Sequence, residues 1–158
     1  MSYGKSVIAG TIAGTWGTLC ILALSTPALA DRCVEPTGAG GCDTTIQGAV
    51  DLATAGEKIT VNPGYYREVV TVPSTLPGLH LAGKKGAVLD SGPPLSGAVL
   101  TILASEMVIS GLTMQVGFIG IVIGDNGTTM VDDVTVTGVV VRSTSNDCIA
   151  VRTATNVR

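Results

Sequence analysis

The spacing of hydrophobic residues changes abruptly within residues 44–72. At first the apolar positions recur at i, i+3, i+4 and i+7, which is the one-sided stripe of an amphipathic helix. That stripe consists of Ile46, Ala49, Val50 and Ala53. From residue 58 the spacing falls to two, over Lys58–Val61 and again over Tyr66–Val72. The pattern therefore predicts a short helix followed directly by two short strands.

Residues at the ends of these segments agree with that prediction. Thr44, with Gln47 three residues later, indicates a capping box at the start of a helix over residues 44–54. Gly56 follows at a place where a left-handed residue readily ends a helix. Between the two strands, Asn62-Pro63-Gly64 predicts a turn with a positive φ at its glycine.

The rest of the chain repeats with a nearly constant period. Three stretches align, and each ends in glycine: Leu79-His80-Leu81-Ala82-Gly83, Met107-Val108-Ile109-Ser110-Gly111 and Val134-Thr135-Val136-Thr137-Gly138. Their glycines are 28 and then 27 residues apart. A second pair of stretches, Ile121-Val122-Ile123 and Ile149-Ala150-Val151, is also 28 residues apart. Self-similarity of this kind is the signature of a repeat architecture.

Such repeats must stack, because a single one cannot bury its own apolar residues. Coils about 4.8 Å apart would pair equivalent strands and align equivalent side chains. We therefore expect two inward ladders, Leu79/Met107/Val134 and Leu81/Ile109/Val136. The three glycines are expected at bends where a side chain would crowd the next coil. An antiparallel β-sandwich also contains short strands and turns, but it predicts no common period.

The helix and first strands carry a family resemblance. They resemble the start of right-handed parallel β-helix proteins of the pectin-lyase-like class, in which T-I-Q-x-A-V-x-x-A leads into G-x-x-I-x-V-x-P-G-x-Y-x-E-x-V. The matching residues are Thr45-Ile46-Gln47, Ala49-Val50, Ala53, Gly56, Ile59, Val61, Pro63-Gly64, Tyr66, Glu68 and Val70. The resemblance implies an all-β fold, a right-handed parallel β-helix solenoid with an N-terminal capping α-helix.

The resemblance also implies a function. Proteins of the pectate lyase and polygalacturonase type are secreted and act on polysaccharides as lyases or glycoside hydrolases. In them, acidic residues on an outer face bind calcium or act as acid and base. Because one fold serves many activities, the alternative is a non-catalytic solenoid, either a surface adhesin or a glycan-binding module.

Composition limits the kind of core and of partner. Hydrophobic residues make up 46% of the chain, whereas aromatic residues make up only 3% and charged residues 13%. A core of Val, Ile, Leu and Ala suits closely stacked strands. The net charge is −3 and no basic patch is present, so nucleic acid is not an expected partner.

Residues 1–30 have the organisation of a secretory signal peptide. Lys5 supplies the positive start, Val7–Leu24 the apolar run and Ala28-Leu29-Ala30 the cleavage site. The alternative is an uncleaved membrane anchor, because the apolar run is nearly long enough to span a bilayer. We expect a secreted or cell-surface protein, extracellular or periplasmic.

The cysteines mark a second region, residues 31–43, ahead of the β-helix at 44–158. A disulfide between Cys33 and Cys42 would pin this region and stabilise it by roughly 2–3 kcal/mol. Cys148 is then unpaired, and we expect it in an inward or stacked strand position as a small apolar residue.

The last coil has no polar cap in the sequence. A solenoid without a cap exposes an open strand edge. We therefore expect either the front portion of a longer, truncated β-helix or a partner that pairs with the C-terminal coil.

The catalytic candidates are Asp147 and Arg152. Asn146-Asp147-Cys148-Ile149 resembles the Asp-Asp-Cys-Ile stretch of polygalacturonases, but residue 146 is asparagine and the companion motifs are absent. Cleavage of a glycosidic bond requires a pair of carboxylates, so the sequence leaves open whether the chain is an enzyme. The alternative for Asp147 is an ordinary turn before a strand.

The metal candidates are Asp132 and Asp133. Calcium is the one cofactor that the resemblance implies, and it takes six to eight oxygen ligands. Two adjacent acids do not make such a site, and the alternative is a solvated turn before Val134. Asp125-Asn126-Gly127 likewise indicates a turn first and a set of metal ligands only second.

Other side chains could contact a glycan or have a purely structural role. Arg142 could bind uronate carboxylates, as could Arg152, although both suit an outward, solubilising role. Tyr65 could offer a surface for stacking sugars, whereas Tyr66 is assigned to the core. His80, the only histidine, is expected to point outward from its strand.

Overall fold

The computed structural model describes residues 31–93 and 97–158. The predicted signal peptide at 1–30 lies outside the described residues. Within the described ranges, no helix is long and apolar enough to cross a membrane.

Short strands make up most of the described chain. The elements are β1 (Arg32–Val34), a 3₁₀ turn (Ala39–Gly41), α1 (Ile46–Asp51), β2 (Lys58–Val61), β3 (Gly64–Arg67), β4 (Val70–Val72), β5 (His80–Gly83), β6 (Ala87–Asp90), β7 (Ala98–Ile102), β8 (Val108–Ser110), β9 (Thr113–Gly117), β10 (Ile119–Ile123), β11 (Val131–Thr137), β12 (Val140–Thr144), β13 (Ile149–Val151) and β14 (Ala154–Val157).

The strands form three sheets in which neighbours run parallel. Sheet A has the order β1-β2-β5-β8-β11-β14, sheet B β12-β9-β6-β3 and sheet C β13-β10-β7-β4. Each complete coil contributes one strand to each sheet, and every strand pairs with its equivalent one coil away. The protein is therefore a parallel β-solenoid of about 5 turns with one short helix. The parallel pairing excludes the antiparallel sandwich.

The predicted ladders are confirmed. Ile109 lies opposite Leu81 on one side and Val136 on the other. In the neighbouring ladder, Leu79, Met107 and Val134 are all fully buried. In sheet C, the stretch Ile121–Ile123 pairs residue for residue with Ile149–Val151. The sequence period is thus the length of one coil.

The three glycines stack where sheet A turns towards sheet B. A Cβ on Gly111 would overlap the carbonyl oxygen of Gly83, and its φ is +67°. A Cβ built on Gly138, the next glycine in the column, would lie 3.8 Å from the Gly111 nitrogen, which is an ordinary contact. The predicted crowding is therefore confirmed for Gly83 and Gly111.

The capping helix begins later and is shorter than predicted. It spans Ile46–Asp51, and its N-cap is Thr45, whose hydroxyl accepts from the Gly48 N–H. The prediction of a capping box formed by Thr44 and Gln47 was therefore wrong. The Gln47 side chain instead bonds both backbone groups of Thr71, at 2.7 and 3.2 Å.

Glu68 performs the capping that the box was expected to perform. Its two carboxylate oxygens accept from the backbone N–H groups of Ile46 and Gln47, at 2.8 and 2.9 Å. These are two of the N–H groups that a helix start leaves without an internal partner. The helix is thus attached to the first coil through the bend between β3 and β4.

Two local predictions near this bend were wrong. The segment 66–72 is not one strand, because β3 ends at Arg67 and β4 begins at Val70. Gly64 begins β3 and lacks a positive φ; a side chain there would instead collide with the ring of Pro36. Its glycine is required by close packing, not by a turn.

One of the two predictions about the cysteines is confirmed and the other was wrong. Cys33 and Cys42 form a disulfide with an S–S distance of 2.02 Å, which ties β1 to the segment before the helix. Cys148 is free and exposed, so its predicted inward position was wrong. It lies in the bend before β13, outside the inward ladder.

Replacing Glu68 by Gln tests the helix attachment. The substitution removes one acceptor and the charge, so we expect the free energy of unfolding to fall by about 1–2 kcal/mol. Urea unfolding followed by circular dichroism measures it. Glu106→Gln, the same change at an exposed position, is the control and should alter stability little. Equal effects would contradict the capping role.

Replacing Gly111 by Ala tests the crowding between coils. Gly40→Ala is a matched control, because Gly40 has φ +69° and nothing within 4 Å of a built Cβ. The control should lose about 1–2 kcal/mol from backbone strain alone. Gly111→Ala adds a steric clash and should lose on the order of 3 kcal/mol or more. The same unfolding measurement compares them, and equal losses would show that the coils are not in contact here.

Candidate functional site

The outer surface of sheet B carries polar and aromatic groups that a ligand could contact together. Strand residues alternate in direction, and Tyr66, Leu89 and Met114 point inward because they are buried. Two outward columns follow from the register: Tyr65, Val88, Thr113 and Val140, and beside them Arg67, Asp90, Gln115 and Arg142. We call these eight residues the sheet B face.

Tyr65 is the aromatic group of this face. Its side chain is 55% exposed, and its hydroxyl lies 3.3 Å from the Gln115 amide nitrogen, which donates to it. Tyr65 is on β3 and Gln115 on β9, with β6 between them. The tyrosine side chain must therefore lie across β6, and it presents an apolar ring surface held in place by the amide.

The accessible charges of the face are positive. Arg67 and Arg142 are both exposed, and Arg142 lies opposite Gln115 in the register. Asp90 is in the same column but is only 3% exposed, and its Oδ1 accepts from the Gly92 N–H at 2.6 Å. This face therefore differs in sign from the whole chain, whose net charge is −3.

The two catalytic candidates are not brought together. Asp147 lies in the bend before β13, as the turn interpretation predicts, and Arg152 lies just after that strand. Strand β13 lies between them and separates them by about 10 Å or more. The Asp147 carboxylate accepts from Asn146 at 3.2 Å, and Arg152 donates to Asn126 at 2.7 Å.

The metal candidates lie inside a strand, so the prediction that they form a turn was wrong. Both belong to β11, because Val131 and Asp132 already pair with β14. Asp132 accepts from the Thr155 hydroxyl at 2.7 Å and the Asn156 amide at 2.8 Å, and these bonds lower the pKa of its carboxyl. Asp133 pairs with the Arg158 guanidinium.

A column of left-handed residues accompanies these acids, and the sequence did not reveal it. Glu106, Asp133 and Asn156 have φ values of 59°, 57° and 50°, and they occupy equivalent positions in successive coils. Gly56 and Gly78 have the same conformation in earlier coils. The glycines were the available signal, but later coils place polar residues at the same position.

An acidic pocket results from this column. Glu106, Asp132 and Asp133, with Arg158, line a shallow pocket of about 280 Å³. Residues 31–93 and 97–158 contain no group of three or more histidine, cysteine or acidic side chains that could hold a metal ion. Calcium binding by Asp132 and Asp133 stays a prediction.

Hydrogen bonds to the Asp125 carboxylate stabilise the turn that begins at this residue. Its Oδ1 accepts from the N–H groups of Gly127, Thr128 and Thr129, at 2.9–3.0 Å. The Thr128 hydroxyl donates to Oδ2 at 2.5 Å. These bonds, that of the Thr128 hydroxyl foremost, hold the pKa of Asp125 far below its usual range. This carboxylate closes a turn.

The outer surface of sheet A brings together a pair that the sequence separates by 30 residues. His80 Nε2 lies 3.2 Å from Ser110 Oγ. Lys58 is opposite His80 in the register. Partial burial and then the charge of Lys58 lower the pKa of His80 below 6.5. The imidazole is therefore neutral near pH 7, on a flat strand surface.

Tyr66 belongs to the core, as predicted. It is 3% exposed, and its hydroxyl lies 2.9 Å from the Asn62 carbonyl oxygen and 3.2 Å from that of Val34. Burial raises the pKa of Tyr66 to about 12. The two adjacent tyrosines thus divide between a structural and a surface role.

The class of protein that this fold defines is a parallel β-solenoid with a helix at its first coil. No protein family, curated protein or solved structure matches the chain. The pectin-lyase-like resemblance therefore depends on the helix and strand motif of residues 45–70, and the assignment of a function depends on the surface.

The single histidine provides a direct test of the sheet A register. Because the folded pKa of His80 is below 6.5, its contribution to stability is complete above pH 6.5 and is lost as the pH falls towards the folded pKa. Lys58→Gln should raise the pKa while leaving it below 6.5, since burial remains. NMR titration of the imidazole measures it. Lys84→Gln, at the far end of β5, should leave the pKa unchanged, and an equal shift in both variants would contradict the register.

Proposed function

We propose that this chain is a secreted, carbohydrate-associated β-solenoid that binds a glycan on the sheet B face. The observation that carries the proposal is the exposed Tyr65 side chain, held by Gln115 across β6. Secretion is supported by the signal-like segment at 1–30 and by a disulfide, which persists in oxidising compartments.

The groups on this face match the chemistry of a sugar. The face of a pyranose ring is apolar, and it packs well on an aromatic ring such as that of Tyr65. Sugar hydroxyl groups need donors and acceptors, which Gln115 and Thr113 offer. A few polar groups converging beside an apolar surface are typical of a small-molecule site.

Their spacing suits an extended chain of sugars. Tyr65 begins on the first coil, Gln115 is on the third and Arg142 on the fourth, with coils about 4.8 Å apart. The groups therefore extend along the solenoid axis over roughly 14 Å. An oligosaccharide lying parallel to the axis would contact all three.

Binding is better supported than cleavage on this face. Both mechanisms of glycosidic cleavage use two carboxyl groups flanking the bond, about 5–9.5 Å apart. The only carboxylate in the two columns of the face is that of Asp90, which is buried and accepts a hydrogen bond from the Gly92 N–H. Asp147 is in a separate bend, where its carboxylate accepts from the Asn146 amide.

Cleavage remains the second candidate function because of the acidic pocket. Glu106 and Asp133 occupy equivalent positions one coil apart, which places their backbones about 4.8 Å from each other. Both side chains line the same pocket, and retaining enzymes use two carboxyl groups held close together. Against it, Asp133 is paired with Arg158.

Glycan binding is tested by calorimetry with matched acidic and neutral oligosaccharides. Tyr65→Ala should weaken binding of every bound glycan about tenfold or more, since it removes the stacking surface. Arg142→Gln should weaken acidic glycans selectively, since it removes a charge-assisted bond. Lys58→Gln, on sheet A, and Phe118→Ala remove a cation and an aromatic ring outside the face and should leave affinity unchanged.

Two results would contradict the proposal. One is the absence of binding to the whole panel by folded wild-type protein. The other is equal loss of affinity in the face variants and in the two controls. Release of new reducing ends in the same incubations, abolished by Glu106→Gln, would instead favour cleavage at the acidic pocket.

A further inference from the structure

The bend between β10 and β11 contains a triplet that the glycan-binding face does not use. Asn126-Gly127-Thr128 has the form N-x-T, and it is the single N-x-S/T triplet of the chain. This form is the acceptor for N-linked glycosylation in surface loops of secreted proteins, provided that the middle residue is not proline. A short motif of this kind acquires weight only from its structural context.

The structure gives the triplet that context. All three residues are exposed. A Cβ built on Gly127 meets nothing within 4 Å, so there is open space beside the turn. Oδ1 of Asn126 accepts from Arg152 at 2.7 Å, and its amide nitrogen has no hydrogen-bond partner among residues 31–93 and 97–158. A group on that nitrogen would extend into solvent.

We propose that Asn126 is a site of N-linked glycosylation. The Nδ2 atom attacks C1 of the first sugar of a lipid-linked oligosaccharide. The new bond is N–C1, and the bond between C1 and the pyrophosphate oxygen breaks. One amide proton passes to a base of the oligosaccharyltransferase, and the lipid pyrophosphate leaves. No oxidant or reductant is involved.

The hydrogen bonds of the turn determine when this can happen. The transferase must reach both the amide and the hydroxyl of the third residue. In the folded chain the Thr128 hydroxyl donates to Asp125, whose other oxygen holds three backbone N–H groups. In the folded turn the recognition hydroxyl is therefore already engaged by Asp125. Transfer should occur before the turn closes, during translocation of the unfolded chain.

The compartment is consistent with this order of events. The Cys33–Cys42 disulfide requires an oxidising environment, and oligosaccharide transfer takes place on the same side of the membrane. The inference rests on the proposed secretion, but it does not rest on glycan binding by the sheet B face. The glycosylation site and the sheet B face are separate surfaces, since Asn126 lies at the bend between sheets C and A.

The first test is expression of the full chain in a eukaryotic secretory host. We expect the secreted protein to carry one N-glycan, removed by peptide N-glycosidase with conversion of Asn126 to Asp in the peptide mass spectrum. Asn126→Gln and Thr128→Ala should lose the glycan completely, whereas Thr128→Ser should keep it. Secreted protein with an intact disulfide and an unmodified Asn126 would overturn the inference while leaving secretion supported.

The second test separates the motif from the export. Purified chain is incubated with an oligosaccharyltransferase and lipid-linked oligosaccharide, either folded or reduced and unfolded in a low concentration of denaturant. We expect transfer to the unfolded chain at least tenfold faster, and Asp125→Ala should raise the rate on the folded chain. Failure of the unfolded wild-type chain to accept the oligosaccharide, when a control acceptor peptide does so, would overturn the inference.

Discussion

Burial in this protein depends on the stacking of one coil on the next. The inward ladder of sheet C shows the effect directly: Ile123, with a strand on each side, is fully buried, whereas Val151, its partner in register on the last described strand of that sheet, is 49% exposed. The residues are similar in size and point the same way, so the difference comes from the neighbouring coil. At about 25 cal/mol per Å² of apolar surface, that neighbour supplies most of the stabilisation of each coil.

The first coil needs other partners, and polar side chains provide them. Glu68 attaches the helix, and Gln47 occupies the backbone groups of Thr71 that a preceding strand would have paired. Glu57, the residue directly before β2, is 3% exposed, and its carboxylate accepts from Arg32 and from the Thr54 N–H. A buried carboxylate is tolerable there because all its partners are supplied locally. The helix therefore ends the stack by satisfying hydrogen bonds as well as by covering apolar residues.

The sequence predicted what periodicity controls and missed what individual contacts control. A period of 27–28 residues is enough to give the parallel register, the ladders of Leu81 and Leu79, and the stacked glycines. The helix start and Gly64 were predicted wrongly because contacts with residues distant in the chain, Glu68 and Pro36, help to determine them. Likewise, Tyr65 and Gln115 are 50 residues apart, and only the number of strands between them places one against the other.

The same distinction explains why the surface says more about function than the motif does. The inward positions are filled mostly by Val, Leu and Ile, because coils about 4.8 Å apart stack them in ladders whatever the protein does. Outward positions are free of that constraint, and their content differs between sheets. Sheet A presents mainly small side chains around His80 and Ser110, whereas the sheet B face presents Tyr65, Gln115 and two arginines. A solenoid aligns such groups along its axis, so the outward residues of each sheet, and not the inward ladders, distinguish one surface from another.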